Sequence, residues 1–119
     1  MRLQTARRSP VKGFNKSALL IVNLQALQQL ISEYFKTQPV KKAWIFGSFA
    51  RGEATSLSDV DVLVEYEQGG VSLFRQAQII CDLEKLLDRS VDLVQEKLLR
   101  PNIRENIIRD RKLIYERSC

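Results

Sequence analysis

The chain contains no histidine. That absence removes serine-histidine triads, histidine-ligated zinc and imidazole general bases together, so any chemistry has to come from carboxylates, hydroxyls, basic side chains and the backbone. Cysteine is scarce too: Cys81 and Cys119 form neither a disulfide framework nor a zinc spacing, and they fit a reducing, cytoplasmic setting. Long hydrophobic runs are missing. The apolar residues 18–22 follow a basic start as in a signal peptide, but Asn23, Gln25, Gln28 and Gln29 break the run and no small-x-small cleavage site follows. Nothing approaches the roughly eighteen apolar residues of a membrane helix, so no membrane role is expected. Aromatic residues are few, with one Trp, three Tyr and five Phe. That leaves little for the stacking platforms of a single-strand RNA binder and ranks nucleic acid low among partners.

The net charge of +5 over 119 residues is unevenly placed. Arg2, Arg7, Arg8, Lys12 and Lys16 face no acid among the first sixteen residues, whereas beyond them the charges balance. Residues 1–16 therefore read as a basic, flexible arm, and residues 17–119 as one small domain with a modest core.

Within that domain, Leu20, Leu24, Leu27, Ile31 and Tyr34 recur at helical spacing over residues 17–35. Ser17 is the expected N-cap, and Pro39 stops the helix. Packing against the domain core is its expected use, rather than pairing with a partner helix. Residues 43–46 read as a strand ending at Gly47 and Ser48, with a helical turn over residues 49–51. Residues 59–66 alternate as a second strand. Leu73, Ala77, Ile80, Leu83 and Leu87 predict a helix over residues 72–88; residues 91–95 form a third strand, a brief helix carries Ile103 and Ile107, and residues 113–115 form a last strand. This alternation predicts an α+β fold, a mixed sheet of about four strands flanked by helices.

Two acids interrupt the valine-rich second strand. Asp59 and Asp61 are two residues apart, so on a strand they share a face. Carboxylates this close repel unless a proton or cation lies between them; with oxygen donors only, the cation is a hard one, magnesium or manganese. Asp92, on a neighbouring strand, offers a third carboxylate, and such a set suits a two-metal phosphoryl or nucleotidyl transfer. Gly47 and Ser48 supply the other half: a glycine at a strand end admits a ligand close to the backbone, the turn behind it offers amides to phosphate, and Ser48 adds a hydroxyl. Arg51 is near enough in sequence to join them.

The stretches GSFARG (47–52) and SDVDVLV (58–64) resemble the G-S-x-A-x-G and S-D-x-D-x-x-V signature of the minimal nucleotidyltransferases in the DNA polymerase beta superfamily. The resemblance extends through residues 91–94 to residues 113–116, covering about 41–116. It implies a small polymerase-beta-like fold in which Gly47 and Ser48 hold the phosphates of a nucleoside triphosphate. It further implies that Asp59, Asp61 and Asp92 ligate two Mg2+ ions (or Mn2+), with Asp92 also helping to deprotonate an acceptor hydroxyl. ATP is the implied substrate. Members of this family resemble antitoxins that transfer AMP to a tyrosine of a helical HEPN toxin, and that is the leading expectation. A chain this short has no room for an acceptor domain, so the acceptor site is expected from outside.

Two other readings stand beside it. One is a nucleotide-binding module that neutralises its partner by stoichiometric binding; the other is a small-molecule or RNA nucleotidyltransferase with an acceptor pocket between subunits of a homo-oligomer. No motif reads a base edge.

Overall fold

The computed structural model describes residues 24–55 and 57–118. The basic arm, Ser17 and Leu20 lie outside those residues. The elements are α1 (Leu24–Phe35), β1 (Val40–Phe46), the short α2 (Ser48–Arg51), β2 (Val60–Tyr66), α3 (Leu73–Leu87), β3 (Val91–Gln95), a 3-10 turn (Glu96–Leu98), α4 (Pro101–Asp110) and β4 (Lys112–Glu116). The four strands form one sheet in the order β3-β2-β1-β4. β1 runs antiparallel to both β2 and β4, and β2 and β3 are parallel. A parallel pair cannot be closed by a tight turn, and α3 supplies the crossover. The sheet is therefore mixed, as the order of elements predicts.

The pleat sorts the strands into two faces. Val60, Val62, Val64 and Tyr66 of β2 join Val91 and Leu93 of β3 and Ala43 and Ile45 of β1 in the core, and the buried stripes of α1 and α3 cover them. In α1 the stripe is Leu27, Ile31 and Phe35, each spaced one turn apart and fully buried; each such side chain contributes about 1.5–3 kcal/mol by leaving water. Tyr34, expected in that stripe, sits half-buried at its edge and donates from its hydroxyl to Asp82 on α3 at 2.6 Å. On the opposite face Trp44 of β1 pairs with the buried Leu63 of β2.

Several boundaries differ from expectation, each for a local reason. β1 starts at Val40, immediately after Pro39, because Thr37 and Gln38 already turn the chain through bonds to Tyr34 and Phe35 carbonyls. β2 starts at Val60, so Asp59 stands just before the strand instead of in it. In α3 the buried stripe is Ile79, Leu83 and Leu87. Leu73 and Ala77 are exposed and Ile80 is half-buried, because the face of α3 that meets the core carries Ile79, Leu83 and Leu87 instead. The ends of α3 follow the rules for helix caps: the Ser72 hydroxyl accepts the Arg75 amide at 3.1 Å, and Asp88 closes the helix in a left-handed conformation at φ 55°. No residue of α4 is buried. No helix among the described residues is long and apolar enough to cross a membrane.

One side chain fastens the start and end of the described chain. Arg117 donates to the carbonyls of Phe35 and Gln38 at 3.2 and 2.6 Å and of Val40 at 3.2 Å, and pairs with Glu67 at 3.0 Å. The carbonyls at the end of α1 have no partner within the helix, so this guanidinium supplies one. Replacing it removes these bonds together. We expect Arg117→Ala to lower stability by about 1–3 kcal/mol, measured by urea and thermal unfolding, with Arg117→Lys recovering only part of the loss.

Candidate active site

Sheet register brings the acids together. Asp61 on β2 has Asp92 on β3 as its direct parallel partner and Phe46, the last residue of β1, as its antiparallel partner. Register partners point to the same face, so Asp61 and Asp92 project side by side on the face away from the core, next to the turn that begins at Gly47. Asp61 is half-buried, while Asp59 and Asp92 are exposed.

Crowding shows in the proton affinity of Asp61. Its carboxyl is pushed up to about 6 from an ordinary 3.8, first by burial, then by the charge of Asp92, by a hydrogen bond shared with Asp92, and by Asp59; Arg51 pulls weakly the other way. Two carboxyl groups near enough to share a proton form the nucleus of the site. Asp59 acts on Asp61 through its charge from outside the strand. Among the described residues no three His, Cys, Asp or Glu side chains stand together as a ready-made metal cage.

Gly47 is needed here for two reasons. Its φ of +72° lies in the region that side chains disfavour, and a Cβ built on it would overlap the Asp61 carboxylate, with Asp61 Cγ only 3.1 Å away. The sequence suggests that this glycine makes room for a ligand; in the fold the space also houses Asp61. Ser48 opens α2, whose first internal bond runs from the Arg51 amide to the Gly47 carbonyl at 3.1 Å. No side chain caps that turn, and its first amides have no acceptor within the helix. Phe49 and Ala50 anchor it in the core. Arg51 is turned toward Glu53, pairing at 3.0 Å, with nearly half of its side chain exposed.

Two features of the site have no counterpart in the sequence reading. Ahead of Asp59, Thr55 and Ser58 knot the loop: the Ser58 hydroxyl accepts the Thr55 amide at 2.8 Å, and the Ser58 amide reaches the Thr55 carbonyl at 3.1 Å. A Ser or Thr pair three residues apart is the signal for such a turn. The second feature is Arg89, which donates to the carbonyls of both residues; its sequence separation from them left no local signal. A cavity of about 430 Å³ lies elsewhere, between residues 64–70 and 95–97 at the far ends of β2 and β3, and includes none of the site residues.

Residues 29–119 match the family described as Polymerase beta, Nucleotidyltransferase. The chain belongs to that family. The protein adenylyltransferase MntA of Thermococcus cleftensis is 39% identical over 71 residues, which cover 60% of this chain and 71% of the relative. A solved minimal nucleotidyltransferase is 35% identical with a TM-score of 0.65, covering 77% of this chain and 93% of that one. The fold alone is shared with a chain from the complex of a tri-AMPylated Shewanella oneidensis HEPN toxin and its MNT antitoxin, at 17% identity and a TM-score of 0.60 over 79% of this chain and 73% of that one. The small polymerase beta nucleotidyltransferase fold expected from the GSFARG and SDVDVLV stretches is thus the fold present.

The donor chemistry around Asp61 fits a hard divalent cation. Asp61 and Asp92 offer only carboxylate oxygens, and the negative charge that Asp92 and Asp59 add to the effect of burial on Asp61 is charge a cation would offset.

Two outcomes follow from the geometry. Because Asp61 binds its proton more tightly folded than unfolded, the metal-free protein loses stability as pH rises from about 4 through about 6. Asp61→Asn should therefore leave stability near pH 3.5 unchanged and raise it at pH 7 by about 1 kcal/mol, the shift being discounted for partial exposure; denaturant melts across pH test this. Gly47→Ala should cost about 1–2 kcal/mol through its left-handed backbone and turn the Asp61 carboxylate aside, readable as a loss of the pH 4–6 stability slope.

Proposed function

We propose that this chain is a magnesium-dependent nucleotidyltransferase that moves AMP from ATP to a tyrosine hydroxyl of a HEPN-type toxin and serves as its antitoxin. The observation that carries this reading is the pairing of Asp61 with Asp92 beside Gly47 and Ser48, on a chain of the polymerase beta nucleotidyltransferase family. The adenylyltransferase MntA and the toxin-antitoxin complex with the same fold support the choice of acceptor. A reducing cytoplasm, where such pairs act on intracellular targets, belongs to the same reading.

Asp59, Asp61 and Asp92 would hold two Mg2+ ions, with Mn2+ as a substitute. When bound, these ions supply charge neutralisation on the triphosphate oxygens and on the entering and leaving oxygens. The chain's own groups do the rest. Amides of the turn after Gly47 and the Ser48 hydroxyl orient the phosphates, with Arg51 released from Glu53 to assist. Asp92, which is exposed, would accept the proton of the tyrosine hydroxyl. The tyrosine oxygen bonds to the α-phosphorus as the bond to the bridging oxygen breaks and pyrophosphate leaves. No covalent bond to the enzyme is formed, so positioning and electrostatics carry the rate.

The test is transfer of label from α-labelled ATP to a purified HEPN-type partner with Mg2+. We expect label on the partner, abolished by EDTA and by Tyr→Phe at the modified position, and cut by at least about 10³-fold in Asp59→Asn, Asp61→Asn. Label that fails to appear on any partner tyrosine sinks the acceptor assignment. Full toxin neutralisation by the double variant would mean that occlusion, not transfer, is the activity.

A further inference from the structure

We propose that Arg89 is a positioning residue of this site, a brace that fixes Asp59 relative to Asp92 and to the turn after Gly47; its functional meaning rests on the nucleotidyltransferase reading above. Arg89 lies between α3 and β3, three positions before Asp92, and is half-buried. Its Nη1 donates to the carbonyl of Ser58, the residue before Asp59, at 3.2 Å and to that of Thr55 at 3.4 Å. The guanidinium carbon also stands 5.4 Å from the ring centroid of Phe49. Phe49 directly follows Ser48 and is only 3% exposed. One side chain therefore touches the phosphate turn and the loop that delivers Asp59, from the segment that leads into Asp92.

The need for such a brace comes from where Asp59 sits. It precedes β2, so the strand ladder does not hold it, and its charge is repelled by Asp61 and Asp92. The bonds between Thr55 and Ser58 shape the loop but tie it only to itself. Beside the site, the Val60 amide reaches the Ser90 carbonyl at 3.0 Å, which starts the pairing of β2 with β3 one residue after Asp59. Arg89 extends that attachment backward across Asp59 to Ser58. A guanidinium suits the task because its carbon stands over an aromatic ring while one of its nitrogens donates to two carbonyls. An ammonium is not planar. Burying a positive charge against backbone carbonyls is costly unless the contacts are kept.

The test compares the full-length wild type with Arg89→Lys, Arg89→Ala and Arg117→Ala, the last being a clamp of the same chemical kind at the other end of the sheet. Three quantities are read: amide hydrogen exchange at Thr55, Ser58 and Asp59 without ligand, the Mn2+ concentration for half-saturation with a non-hydrolysable ATP analogue, and the melting temperature. We expect both Arg89 variants to speed exchange at Ser58 and Asp59 and to raise the half-saturating Mn2+ concentration, by about tenfold in Arg89→Ala and less in Arg89→Lys. Arg117→Ala should lower the melting temperature without either effect. If Arg89→Ala does not fold, Arg89→Lys, which keeps the charge and stem, carries the comparison. Unchanged exchange at Asp59, or wild-type Mn2+ saturation with only a lowered melting temperature, overturns the proposal. A wild type that binds no Mn2+ with nucleotide refutes the nucleotidyltransferase reading, and the exchange data then still decide whether Arg89 holds the loop.

Discussion

The repulsion between Asp61 and Asp92 is the constraint around which the rest of the sheet is arranged. Two carboxyl groups are held as direct partners on adjacent parallel strands, an arrangement that costs stability in the metal-free protein and persists only because other interactions hold those strands in register. Val60, Val62, Val91 and Leu93, alternating with the acids, provide that hold by burying the opposite face against α1 and α3. A slip of one residue would put both acids into the core and expose the valines. The hydrophobic pattern and the acidic pattern are the same pattern seen from two sides.

Gly47 shows how tightly the constraint reaches into the backbone. The end of β1 lies against Asp61 so closely that no side chain fits there. The strand end, the reversed backbone and the short α2 follow from one steric fact. Away from Gly47 the acids are less enclosed: Asp61 lies half-buried in its strand, Asp92 is exposed within its strand, and Asp59 is exposed just before one.

Much of this was legible from residue spacing. The alternation in residues 60–64 and 91–94, the Gly47 and Ser48 break and the helical stripe through Leu27 and Ile31 are local signals, and local signals survive without tertiary context. Failures came where a neighbour decided. Leu73 and Ala77 fit the helical period of α3 but lie outside its buried stripe of Ile79, Leu83 and Leu87 and stay exposed. Tyr34 fits the stripe of α1, yet its hydroxyl is satisfied at the edge by Asp82, and Phe35 takes the interior place. Asp59 fits the strand alternation, but the knot at Thr55 and Ser58 delays the strand by one residue.

The sequence by itself determined the types of group available and their face: with no histidine, any acid-base or metal chemistry had to rest on carboxylates, and period-two spacing put them on one side of a sheet. Only the tertiary structure decided which acids meet. Asp61 and Asp92 are separated by thirty-one positions along the chain, and it is the parallel register across the α3 crossover that makes them partners. Likewise, nothing near Arg89 in the chain marks its contact with Ser58 and Phe49, because that contact joins segments that approach one another only after the strands have paired.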